Sequence, residues 1–221
     1  MKNLLFACLF VLSATTINAR NSEPDSSVNS ARHEIGINLF SLSAFDYQYG
    51  ETYYPCGIYY RFHAGVNTFR VSVNAATDKG KADFVNYIQN VDNNWTGRWS
   101  FAEILLGDQW SITRKKNFEW YALIDAGFRY NDFKGTETYG DSSIVYYDQP
   151  LKRRVCAIGL ALGTGATYKI GKRFSVSLEG DAFFSVRALK YLKSVRYPGY
   201  NNKRFEVYPN LVHKLGVSYY F

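Results

Sequence analysis

Two stretches of this chain alternate between large apolar and polar or small residues for longer than a helix tolerates. In FEWYALIDAGFRYN, residues 118 to 131, one set of alternate positions reads Phe118, Trp120, Ala122, Ile124, Ala126, Phe128, Tyr130. The set between them reads Glu119, Tyr121, Leu123, Asp125, Gly127, Arg129, Asn131. FSVSLEGDAFFSV, residues 174 to 186, repeats the pattern, with Phe174, Val176, Leu178, Phe184 and Val186 set against Ser175, Ser177, Glu179, Asp181 and Ser185. Side chains of a strand point alternately to its two faces, so a period of two sustained this long specifies a sheet with one apolar face. Aromatic residues make up 18% of the chain, and Tyr and Phe suit strands.

Eight segments of this kind are predicted, near 34–43, 53–62, 68–76, 98–110, 118–131, 154–168, 174–187 and 207–221. The fourth, RWSFAEILLGDQW, changes phase around Glu103, which predicts a bulge. Short links, HAGVN (63–67), SITRKKN (111–117) and KIGKR (169–173), alternate with long ones at 44–52, 77–97, 132–153 and 188–206. In an up-and-down meander this places every short turn at one end and every long link at the other. The expected fold is all-β: an eight-stranded antiparallel up-and-down transmembrane β-barrel with short periplasmic turns and long extracellular loops.

A closed sheet of eight strands has two inside-out versions. A soluble carrier of the lipocalin kind turns its apolar face inward; a membrane barrel turns it outward. Here the second face carries Arg61, Arg70, Asp125, Arg129, Glu179, Asp181 and Lys214, with Glu119 near a turn. The sixth segment adds Ala157, Gly159, Ala161, Gly163 and Gly165 to that face, which leaves room for bulky neighbours in a narrow interior. Its first face, with Ile158, Leu160 and Leu162, suits lipid. The apolar face is therefore expected outside. Charges within must be paired, because an unpaired buried charge costs several kcal/mol. Lys214 is expected to meet Glu179 or Asp181. A salt-bridged plug is favoured over a conducting or gated pore, since eight strands leave space for little but side chains.

The first residues, MKNLLFACLFVLSATTINA, have the layout of a signal peptide: Lys2, an apolar core from Leu4 to Leu12, and a close on Ala19. The expected organisation is a signal peptide at 1–19, discarded together with Cys8, a disordered periplasmic leader at 20–33, and the barrel at 34–221. Cys56 and Cys156 then fall four strands apart in a ring of eight, too far for a disulfide.

The signal peptide, the eight segments, the alternating links and the terminal LGVSYYF together resemble the small OmpA/OmpX-type outer-membrane barrels, over residues 34 to 221. The resemblance is to barrel-only members, since no peptidoglycan-binding domain is expected. In that family the last strand is recognised by the barrel-assembly machinery, which implies that role for Leu215, Val217, Tyr219 and Phe221. It also implies residence in the bacterial outer membrane. His213 departs from the pattern: it falls on the lipid side of its segment, so it is expected neutral near mid-membrane, or displaced by a bulge.

Catalysis is not expected. His33 precedes the first segment, His63 falls in a short link and His213 faces lipid, and none has a serine partner at its depth. No metal or cofactor site is expected, and GLALGTG (159–165) lies within a strand pattern and does not open a helix. The net charge of +7 comes without a nucleic-acid recognition motif. The link 188–206 gathers Lys190, Lys193, Arg196, Lys203 and Arg204 among tyrosines, either to contact anionic lipopolysaccharide or as a basic rim beside the headgroups. The sequence thus points to a monomeric, non-enzymatic barrel in contact with outer-membrane lipid, with a structural, surface-interaction or adhesion role. A narrow pore for small solutes and a secreted lipocalin-like binder are the alternatives.

Overall fold

The computed structural model describes residues 33–41, 43–46, 51–53, 56–65, 67–86, 91–141, 144–193 and 199–221. The signal peptide and all of the leader except His33 lie outside the described residues. Ten strands follow one another: β1 (His33–Ser41), β2 (Ser43–Asp46), β3 (Glu51–Tyr53), β4 (Cys56–Ala64), β5 (Asn67–Asn86), β6 (Val91–Lys115), β7 (Phe118–Asp141), β8 (Ile144–Ile170), β9 (Phe174–Lys193) and β10 (Asn201–Tyr220). Eight close into a ring in the order β1-β10-β9-β8-β7-β6-β5-β4, while β2 and β3 pair with each other. Every pairing is antiparallel. The ring is sealed where β1 meets β10, with Ile35 opposite Tyr219 and Ile37 opposite Val217.

The turns at one end are tight. Gly65 and Gly171 adopt left-handed backbone (φ 67° and 69°) where the chain reverses into β5 and β9, and Lys116 does so between β6 and β7 (φ 39°). At the other end the long links are built largely as continuations of the strands. β7 has 24 residues and β8 has 27, whereas about 9–11 tilted residues cross a bilayer. The hairpins β5–β6, β7–β8 and β9–β10 therefore stand well above any membrane.

The apolar alternate residues face outward. Ile35, Ile58, Leu106, Ile158, Leu162 and Phe174 are between 46% and 61% exposed, while Arg61, Arg70, Asp125, Arg129 and Glu179 are buried inside the ring. Further along the strands this polarity inverts. Trp95, Trp99 and Phe101 on β6, Phe133 on β7, Leu151 and Val155 on β8, and Leu189 and Tyr191 on β9 all point inward and form one cluster. Their outward neighbours there include Arg98, Lys134, Lys152 and Lys190.

This inversion corrects the expected bulge at Glu103. The β5–β6 and β6–β7 ladders run through Glu103 without a slip, and the irregularity of β6 lies between Ser111 and Thr113. The hydropathy changes phase because the surroundings of the outer face change, while the backbone keeps its period. Around His213 the register of β10 against β9 does shift, between Asn210 and Lys214. The His213 side chain lies outside the described residues. Cys56 and Cys156 are free thiols on β4 and β8, on opposite sides of the ring.

The small residues of β8 make room for large ones opposite. A Cβ placed on Gly165 would stand 2.6 Å from the Tyr121 ring. Gly165→Val is accordingly expected to destabilise the barrel by about 1–3 kcal/mol through overpacking. Ala166→Val, one position on and turned to the lipid side, should be near neutral. Urea midpoints of the refolded proteins in detergent compare the two.

Candidate functional site

The interior below the aromatic cluster is organised around Glu179 of β9. Its Oε1 accepts hydrogen bonds from Arg61 Nη2 (2.5 Å), Arg70 Nη1 (2.8 Å) and the Tyr121 hydroxyl (2.9 Å), and its Oε2 accepts from Arg70 Nη2 (2.7 Å). Arg61 and Arg70 are direct cross-strand partners on β4 and β5. Like charges in that relation repel. The carboxylate reaching across the ring from β9 offsets the repulsion, and Asp125 on β7 adds a second negative charge 3.1 Å from Arg70 Nε.

The network continues toward the turn end. Arg61 Nη1 donates to Glu34 Oε1 (3.1 Å), the Ser218 hydroxyl donates to the same oxygen (2.5 Å), and His63 Nε2 lies 2.9 Å from Glu34 Oε2. Glu34 thus ties β1, β4 and β10 together. It was not among the residues read from the sequence, because it stands at the very edge of the first segment. His63, expected in a turn, belongs to β4 and contacts Glu34 and Thr68. His33 opens β1, where its Nδ1 lies 2.7 Å from the Tyr60 hydroxyl.

Toward the other end, Arg129 Nε donates to Glu103 Oε2 (2.6 Å), and Asn74 bridges Glu103 and Asn38. The Arg129 guanidinium lies 4.0 Å over the centre of the Phe183 ring. Above it sits the aromatic layer: Trp99 and Phe133 centroids are 4.0 Å apart, and the Arg153 guanidinium lies 5.0 Å over Trp95. Arg187 Nη1 donates to Glu206 Oε1 at 3.0 Å. Glu103 escaped the sequence reading because of the apparent phase change. Arg153 and Arg187 stand on continuations of the strands, outside or at the edge of the segments drawn.

Of the expected interior charges, the structure brings Arg61, Arg70, Asp125 and Glu179 together and places Arg129 in the layer above. Glu119 stands apart beside the β6–β7 turn, where it accepts from Ser111 and from Arg114 Nη2. Asp181 lies half-buried on β9, across from Asn210 and Gly163. Lys214 stands beside Glu179, directly opposite it in register, without hydrogen-bonding to it. The Glu179 oxygens are already held by two guanidiniums and a phenol. The Lys214 charge is nonetheless near enough to act on Glu179 and Asp125.

The terminal residues Leu215, Val217 and Tyr219 occupy the outer face of β10. The Phe221 amide donates to the His33 carbonyl (3.0 Å), and its ring stacks on His33 at 5.6 Å between centroids. Lys190, Lys193 and Lys203 are exposed on the β9–β10 hairpin. Arg204 is exposed too and bonds Glu206, which it shares with Arg187, and Arg196 lies outside the described residues. Among the described residues no group of three or more His, Cys, Asp or Glu is placed to hold a metal.

An apolar outer wall, a ring with no open edge and buried ion pairs inside it define an eight-stranded membrane-spanning β-barrel. No family model matches the chain, and no curated protein matches it. Several solved structures are similar at low identity. A major outer membrane protein from Thermus thermophilus is 14% identical, with 86% of this chain and 98% of that one covered at a TM-score of 0.44. The outer membrane protein W of E. coli is also 14% identical, covering 87% and 98% at 0.41. Ail, the attachment invasion locus protein of Yersinia pestis, in complex with the heparin analogue sucrose octasulfate, is 14% identical, covering 86% and 96% at 0.34.

Removing the central acid tests the network. Glu179→Gln leaves Arg61 and Arg70 facing each other, and an expected loss of about 3–5 kcal/mol follows from breaking a buried pair from one side. Adding Arg70→Met together with Asp125→Asn, which removes a cation with its other acid and leaves Arg61 paired with Glu34, should restore much of it. Urea unfolding followed by tryptophan fluorescence measures both.

Proposed function

We propose that this protein is a monomeric, non-enzymatic integral protein of the bacterial outer membrane, exported through its signal peptide, whose barrel is a closed plug. Its tall hairpins then carry a structural, surface-interaction or adhesion role. The observation that supports the plug is the convergence of Arg61, Arg70 and Tyr121 on Glu179 across the ring, with the layer of Trp95, Trp99 and Phe133 above it. A solute moving along the axis at this level would meet mutually engaged side chains and buried ion pairs. The exposed apolar wall supports residence in lipid, and short turns at the other end support a periplasmic position for them. Handling of β10 by the barrel-assembly machinery, through Leu215, Val217, Tyr219 and Phe221, belongs to the same reading.

Fractionation and electrophysiology test it together. The protein should require detergent for extraction and change its gel mobility on boiling, and planar bilayers containing it should show no discrete conductance steps. Resolved openings would replace the plug with a narrow pore. Release by salt alone would return the protein to the secreted binders.

A further inference from the structure

Four successive cross-strand pairs on the outer face are like-charged. Lys79 on β5 stands opposite Arg98 on β6, Arg98 opposite Lys134 on β7, Lys134 opposite Lys152 on β8, and Lys152 opposite Lys193 on β9. Directly opposed residues share a face, so Lys79, Arg98, Lys134 and Lys152 form a row in unbroken register, and exposed Lys193 continues it onto β9 across a register shift beside Lys152, about 20 Å in all at the usual strand spacing. Lys79, Arg98, Lys134 and Lys193 are exposed and Lys152 is half-exposed.

Like charges placed directly opposite each other destabilise a sheet. The adjoining row, Thr77, Ser100, Asp132, Arg154 and Lys190, supplies two more cations and one carboxylate. That carboxylate, Asp132, lies 3.6 Å from both Lys134 Nζ and Arg154 Nε. Seven cations against one acid leave a positive stripe that its own two rows do not neutralise.

Its height narrows the choice of anion. The next row toward the turns is Ala75, Ala102, Tyr130, Cys156 and Ala188, the upper edge of the apolar wall on these strands. The stripe therefore begins where hydrocarbon gives way to headgroups, on the side of the barrel and below the hairpin tips. Lys and Arg stems lie along apolar surface while their heads reach polar groups. A soluble polyanion approaching from outside would meet the tips first.

We propose that this stripe is a lateral site for the phosphate groups of an anionic outer-leaflet glycolipid, held against the wall of β5 to β9. The assignment rests on the outer-membrane reading above. It relocates the lipopolysaccharide contact expected at the β9–β10 link onto a surface shared by five strands, keeping Lys190 and Lys193 and omitting Lys203, Arg204 and Arg196, the last of which lies outside the described residues.

The test uses the full chain refolded in zwitterionic detergent and titrated calorimetrically with bisphosphorylated lipid A, dephosphorylated lipid A and soluble glucosamine phosphate. The wild type should prefer phosphorylated lipid A at least tenfold over the dephosphorylated form, and the preference should fall as salt rises. R98Q/K134Q/K152Q/K193Q should abolish the preference, with K134Q and K152Q alone each losing about threefold. K115Q/K116Q/K172Q/R173Q, which removes equal charge at the turn end, should keep it within twofold. Equal loss in both quadruple variants, or none in the stripe variants, would overturn the site. Binding of glucosamine phosphate as tightly as lipid A would overturn the lipid assignment. Mobility shift on boiling, measured in every protein, separates these outcomes from failure of the barrel itself.

Discussion

A backbone N–H or C=O left unpaired in hydrocarbon costs several kcal/mol, and no water is present to take its place. A sheet in lipid therefore cannot end; it must meet itself. The hydrogen-bonded seam between β1 and β10 is where this chain meets that demand. Closure with eight strands fixes a narrow interior that side chains can fill. Charge is admissible inside so long as it is matched, which is why Glu179 stands between Arg61 and Arg70, and why Glu34 bonds across the seam to Ser218.

The second organising fact is that the medium around the wall changes along its height. On β7, Phe118 to Tyr130 present an apolar outer face; a few residues on, Phe133 is buried inside and Lys134 faces out. β6, β8 and β9 change over in the same register. Below the boundary the protein is built as a membrane barrel, and above it as a soluble barrel with an apolar core. The β5–β6 and β6–β7 ladders pass through the boundary without a slip, because a strand's two faces are set by geometry and only their chemistry is free to vary.

This explains what was legible in the sequence. Period two reports which residues share a face, so the orientation of the wall, the inward set on β7 and β9, and the separation of Cys56 from Cys156 were all readable. Period two carries no label for the surroundings. At Glu103 a change of medium looks like a slip of backbone, and the continuation carrying Arg153 reads as a link, while Arg187 closes its segment. Nor does it give a partner across the ring, which depends on stagger and on which groups arrive first at a given carboxylate. Lys214 is the instructive case. Its place opposite Glu179 follows from strand register, but which donors bond the carboxylate does not: two arginines and a tyrosine do, and the Lys214 Nζ does not.

The seam also dictates an order of events. Ser218 and Glu34, joined by a hydrogen bond, are separated by 184 positions. Local hairpins such as β4–β5 can zip early, each adding a strand to its neighbour, but the ring gains its last ladder only when the two most distant segments find each other. Contacts of such sequence separation are the slow ones in folding. Every earlier species is a curved ribbon with two bare margins, each able to template a foreign strand. Maturation is thus a race between self-capture and misalliance, and its finish line is the stacking of Phe221 on His33.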